Sequence, residues 1–272
     1  MILTILIIIL FYIFITLILR KYIKKTNYKL NNINYILDNT KDILDNAKKA
    51  LDNDGIIIIS QFLNSDELLY IKNLVDTDKS IEIKKYITKK NIKKYTNQDY
   101  EFQDYIFIIK QSQLNSCHRD YNSIFFNKNQ KYPSYTLLFF LNDIDKCLDI
   151  IPKSHKTNKF FNINLTDFTE SIKCNIGDAI LFNSSLVHSG SINKNYKNHR
   201  IQMKISHKDD RYESLHFFEN INKKLDRPEK KSYWYIKLEK HLSCLFPIFG
   251  KYIKETNNNI FSKYIYKKID NI

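Results

Sequence analysis

The stretch CHRDYNS, residues 117–123, sets an imidazole and a carboxylate two positions apart, at His118 and Asp120. Residues two apart on an extended strand project to the same side, so both can face one ion. A His-x-Asp pair arises often by chance and needs a further donor. GDAILFNSSLVHSGS offers one: His188 follows a short apolar run and stands between Gly177 and Gly190, two of the chain's four glycines. Two imidazoles and one carboxylate, with the remaining coordination positions open, form the ligand set of non-haem Fe(II) centres.

Arg200 comes twelve residues after His188, on the polar side of an alternating segment. Only five of the 43 basic residues are Arg, and the other 38 are Lys. An Arg in such a chain marks a place where the planar guanidinium fork matters, because it grips a carboxylate through two parallel hydrogen bonds. That is the grip required by the distal carboxylate of 2-oxoglutarate. Ser189 and Ser191 are further candidates for holding the co-substrate carboxylate. His155 reads as a structural histidine of its loop, and Cys117 as packing.

The elements that must position these groups show in the apolar pattern. Ile43, Leu44, Ala47, Ala50 and Leu51 recur on one helical face from Thr40 until Asp54-Gly55. Ile56–Ile59 reads as a buried strand. Asn64 is placed to cap a helix with Glu67 three residues later, with Leu63 stapled against Leu68. Short strand signals follow at 105–110, 135–141, 179–182 and 200–206. In the last of these, Ile201, Met203 and Ile205 alternate with Arg200, Gln202 and Lys204. Strands without intervening helices point to a mainly β jelly roll, a double-stranded β-helix of cupin-like form with flanking helices. Beyond Arg211 the pattern turns helical and aromatic through KSYWYIKLEKHLSCLF.

The first nineteen residues carry no charge, and Arg20, Lys21, Lys24 and Lys25 follow. This predicts a single N-terminal transmembrane helix with the remainder on the cytoplasmic side. The expected organisation is an anchor at 1–19, a basic linker at 20–38, the main domain at 39–210 and a helical extension at 211–272. The four cysteines show no CxxC spacing, which suggests reduced thiols in a cytosol-like compartment. The net charge of +14 is spread over scattered lysines, so a dedicated nucleic-acid surface is the weaker reading of it.

From Asp54 to His207 the chain resembles the phytanoyl-CoA dioxygenase family of Fe(II)/2-oxoglutarate oxygenases. The similarity is carried in order by DGIIIISQFLNSDELLYIKNLV, by HRD, by LDIIPKSH, and by GDAILFNSSLVHSGSIN followed by Arg200. Lys153 stands where that family usually has a glycine, and Asn193 matches a frequent Asn. The resemblance implies a double-stranded β-helix with His118, Asp120 and His188 on iron and Arg200 on 2-oxoglutarate. It also implies hydroxylation of a C–H bond with release of succinate and CO2. Asp120, where related halogenases keep a small residue, favours hydroxylation. A hydrophobic substrate such as a lipid would suit the anchor. The alternatives are a catalytically weak or inactive, membrane-tethered metal-binding jelly-roll module and an oxygenase that modifies nucleic acid.

Overall fold

The computed structural model describes residues 2–22, 41–111, 116–144, 146–157, 169–191, 197–211, 221–226 and 233–245. Helix α1 (Ile2–Tyr22) is followed by α2 (Lys41–Asp54), strand β1 (Ile56–Ile59), α3 (Ser65–Asp76) and α4 (Ser80–Thr88). Strands β2 (Tyr100–Gln111), β3 (Tyr135–Phe140), β4 (Leu148–Ile150), β5 (Glu170–Ile172), β6 (Ala179–Asn183), β7 (His188–Gly190) and β8 (Lys197–His207) come next. Strand β9 (Ile221–Asp226) and helix α5 (Tyr233–Leu245) close the described chain. Most of the expected linker, and Asn193, lie outside these residues.

The strands divide between two sheets. The larger sheet has the order β1-β6-β3-β8-β2-β9 and the smaller β5-β4-β7. All pairings within them are antiparallel except that of β2 with β9. His118 extends the smaller sheet through a bridge to His188 on β7. The path from β2 runs to the His118 bridge, β3, β4, β5, β6, β7 and β8, switching sheets repeatedly. The result is the jelly-roll course expected from the strand pattern.

Alternation along the strands builds two cores, one on each face of the larger sheet. Leu137, Phe139, Leu181, Ile201, Met203 and Ile205 point outward and pack with Ile71, Leu74, Ile83 and Ile87 of α3 and α4. Ile56, Ile58, Leu138, Phe140, Ile180 and Phe182 point inward and meet Leu148, Ile150 and Ile172 of the smaller sheet. These inward side chains fill the space between the sheets. Helix α3 starts at a capping box: the Asn64 side chain accepts from the Glu67 backbone N–H, and the Glu67 carboxylate accepts from the Asn64 N–H. Gly55 is needed at the α2–β1 corner, with φ +82° and no room for a Cβ, which would meet His155 Nδ1 at 2.5 Å.

Three expectations are corrected here. Within the expected helical extension, Ile221–Asp226 instead forms strand β9, paired in parallel with β2 at the edge of the larger sheet. The cysteines lie in pairs, Cys117 with Cys244 and Cys147 with Cys174, and none is free. The partners are 127 and 27 residues apart, so no local spacing announced them. The N-terminal apolar run does form a helix, but among the described residues no helix is long and apolar enough to cross a membrane. Toward its C-terminal end α1 touches the domain: Thr16 is buried, with its Oγ1 3.0 Å from His241 Nε2 of α5.

Candidate metal centre

His118 and His188 are brought side by side by backbone pairing. The N–H of each donates to the carbonyl of the other at 2.9 Å, and the ring centroids lie 4.4 Å apart. Asp120 is set two residues on, with its own N–H bonded to Ser184 O at 2.9 Å. All three side chains are buried, and one donor atom from each lies within 4.8 Å of the others. Asp120 Oδ1 is 3.9 Å from His118 Nε2 and 3.7 Å from His188 Nε2.

The imidazoles are oriented for coordination. His118 Nδ1 lies 2.9 Å from Ser116 O and His188 Nδ1 lies 2.9 Å from Leu186 O. A carbonyl accepts only, so each Nδ1 carries the proton and donates it, and each Nε2 presents a lone pair toward Asp120. Holding the second nitrogen in this way is how proteins fix the tautomer of a metal-binding histidine. Ligand atoms about 2.1 Å from a common metal stand about 3.0–3.5 Å from one another, so the triangle closes on an ion with shifts below about 1 Å. These residues fit a divalent metal.

Burial by itself would raise the Asp120 carboxyl, but the Lys204 ammonium beside it overcomes this and holds the group far below the usual carboxylate range. Asp120 is therefore an anion throughout the physiological range. Its Oδ2 accepts from Lys204 Nζ and, at 2.5 Å, from Thr136 Oγ1. Tyr105 is buried near the same carboxylate, and burial followed by that charge pushes its phenol up.

Arg200 is buried on β8, paired across the sheet with Phe140 and Ile109. It shares the inward side of the strand with Gln202 and Lys204. Burial lowers the guanidinium to about 10, which leaves it a cation at neutral pH. The structure thus puts Arg200 on the same face of the same strand as the lysine that touches the triad.

Ser189 and Ser191 are placed elsewhere. Ser189 follows His188 on β7 and so points to the opposite face, where its Oγ lies 3.9 Å from Cys117 Sγ. Ser191 Oγ donates to Asp149 Oδ1 at 2.6 Å, and Asp149 Oδ2 pairs with Lys240 of α5. Both serines belong to the outer layer beneath α5, where Cys117, Ile151, Val187 and Cys244 cluster. His155 Nε2 bonds Asp52 O at 3.0 Å, in the loop role expected of it.

Two residues at the site escaped sequence reasoning. Lys204 was hidden among 38 lysines. Its signal was its place in the β8 alternation, which puts it on the inward side with Gln202 while Met203 and Ile205 flank it outward. Arg119, between the two ligands in HRD, joins three carbonyls. Its Nη1 donates to Ser154 O at 2.9 Å and to Ser185 O, and its Nη2 to Thr157 O at 2.8 Å. Its signal was the rarity of Arg.

No family model and no curated protein matches the chain. Similar solved structures include the non-heme alpha ketoglutarate dependent epimerase SnoN from nogalamycin biosynthesis, with TM-score 0.48 and 12% identity over 61% of this chain and 81% of that one. EvdO2 from Micromonospora carbonacea var. aurantiaca aligns with TM-score 0.46 and 11% identity over 60% and 90% of the two chains. HygX from Streptomyces hygroscopicus, with nickel and 2-oxoglutarate bound, aligns with TM-score 0.42 and 13% identity over 62% and 86%. Similarities of this size leave the chemistry to be decided by this chain's own side chains. Those side chains define a mainly β, cupin-like domain whose two histidines and one aspartate are arranged to hold a metal.

Proposed function

We propose that the protein is an Fe(II)/2-oxoglutarate-dependent oxygenase, of the phytanoyl-CoA dioxygenase kind, that hydroxylates a C–H bond and releases succinate and CO2. The observation that carries this is the buried triangle of His118 Nε2, His188 Nε2 and Asp120 Oδ1, with both Nδ1 atoms committed to backbone carbonyls. Iron, when bound, supplies the oxygen chemistry. The two histidines and Asp120 would hold it from one side and leave the opposite side open. Arg200, the buried cation on the inward face of β8, is assigned to the distal carboxylate of 2-oxoglutarate. Leu138, Phe140 and Phe182 keep water from the inner wall, and Phe182 stands edge-on to His188 with centroids 4.6 Å apart. Asp120 fills the position a halide would need, which supports hydroxylation.

We further propose that α1 associates with a membrane, supported by its exposed Ile2, Leu3, Phe11 and Phe14, and that the substrate is a lipid or another hydrophobic molecule met there. The basic residues Arg20, Lys21, Lys24 and Lys25 would be attracted to the anionic surface of a cytoplasmic leaflet, which favours that side for the domain. The test of activity is 2-oxoglutarate turnover by the full-length protein in detergent with Fe(II) and oxygen. Succinate formation that is lost in Arg200→Met by a rise in the KM for 2-oxoglutarate supports the assignment. Turnover with an unchanged KM in Arg200→Met would remove Arg200 from the co-substrate.

A further inference from the structure

Lys204 holds a position no metal ligand occupies. It is only 2% exposed, and it lies on β8 opposite Thr136 of β3. Its ammonium donates to Asp120 Oδ2 and, at 2.8 Å, to Thr136 Oγ1. Thr136 Oγ1 in turn donates to the same Oδ2 at 2.5 Å. Two donors therefore converge on one carboxylate oxygen, and the ammonium orders the hydroxyl by taking up its lone pair. The other oxygen, Oδ1, is the one that faces both histidines. The two oxygens of Asp120 are thus divided between separate partners.

That division matters for coordination. A carboxylate with both oxygens free can bind a metal through one or both, and a second carboxylate oxygen takes a position a co-substrate needs. A six-coordinate ion held here would take three protein atoms, two oxygens of a 2-oxo acid and one further ligand. A two-toothed Asp120 would leave too few. A surface lysine would hold Oδ2 weakly, but this pair is buried, where a charge-assisted hydrogen bond is strong and water does not compete.

We propose that Lys204 is a positioning residue that, with Thr136, keeps Asp120 a one-oxygen ligand and so keeps two adjacent metal positions open for the 2-oxo acid. This rests on the reading of the triad as a metal centre. A rotation of Asp120 that brings Oδ2 to the metal would cost the ion pair and the hydroxyl bond together. Gln202 and Arg200, further along the same face, leave this oxygen to Lys204.

The experiment is a titration of full-length protein with Co(II) alone, read by its visible d–d absorption, and then with 2-oxoglutarate on the Co(II)-loaded protein. His118→Ala serves as the metal control. In Lys204→Met the d–d bands of the Co(II) protein weaken and shift, as expected for a higher coordination number. The Kd for 2-oxoglutarate rises by about tenfold or more, the loss expected of one charge-assisted bond. Lys204→Arg restores both. Thr136→Val, which keeps the ion pair and is the milder change should Lys204→Met not fold, gives a smaller shift of the same kind. Wild-type d–d bands in Lys204→Met or in Thr136→Val overturn the proposal, even if 2-oxoglutarate binds more weakly, because weaker binding alone is the effect of a lost positive charge. Absence of Co(II) bands in the wild-type protein overturns the metal-centre reading, and the role of Lys204 falls with it.

Discussion

Replacing Arg119 with Met keeps the apolar stem and removes the fork. Arg119 is 4% exposed, and its fork serves Ser154 O, Ser185 O and Thr157 O. Burial draws its pKa down to about 10, so it is charged at neutral pH. Bonds from a charged donor are worth about 1.5–3 kcal/mol each, and three carbonyls lose that donor together. The relief of no longer burying an unpaired charge offsets part of this, leaving a net loss of about 3–5 kcal/mol. For a domain of this size that is a fall in melting temperature of about 6–20 °C. The three carbonyls belong to the loop after β4 and the turn before His188, so the metal site loosens as well. Circular dichroism melts of the two proteins, with Co(II) titrations beside them, read both effects. A melting temperature within about 2 °C of wild type, with unchanged Co(II) affinity, would refute the claim that Arg119 ties the first two ligands to the third.

Lys153 has φ +60°, the left-handed conformation that glycine adopts without strain. Lys153→Gly should therefore stabilise the protein by about 0.5–1 kcal/mol in denaturant titrations, and a loss of stability would show that the Lys side chain contributes more than its backbone costs. Burial raises the Glu67 carboxyl, but Lys90, the Asn64 N–H and Tyr86 together lower it below its ordinary value. Because the folded form holds the lower pKa, Glu67 stabilises the protein above about pH 4.3 and the benefit fades as pH falls below that. Glu67→Gln should cost about 1–2 kcal/mol at pH 7 and less at pH 3, whereas a deficit that is constant with pH would contradict the assignment. Under non-reducing peptide mapping the purified protein should give Cys117–Cys244 and Cys147–Cys174 cross-links, and the double variant Cys117→Ser, Cys244→Ser should lose about 2–4 kcal/mol. Four alkylatable thiols in the oxidised protein would contradict that pairing.

The clustered triad was legible because chemistry restricts it: few residue types can hold a metal, and His118-x-Asp120 with a later His188 is a sparse pattern in any composition. The capping box at Asn64 and Glu67 and the alternation on β8 were legible for the same reason, since each follows a local rule. Strands β4, β5 and β7 have only three residues each, too few for a period to show. Lys204 and Lys240 were masked by the lysine-rich composition. Each is fixed by a distant carboxylate, at Asp120 and Asp149, that only the fold brings near. The misplacement of Ser189 and Ser191 had a signal available: on a strand, the residue after an inward ligand points outward. The cysteine pairs had none.

The central claim is a metal site that turns over 2-oxoglutarate. The most direct measurement takes full-length protein loaded anaerobically with Fe(II), admits oxygen, and follows succinate released from 2-oxoglutarate with His118→Ala alongside. Succinate from the wild type, absent in the variant along with its bound iron, is the predicted result. Wild-type protein that retains no iron and releases no succinate would contradict the account.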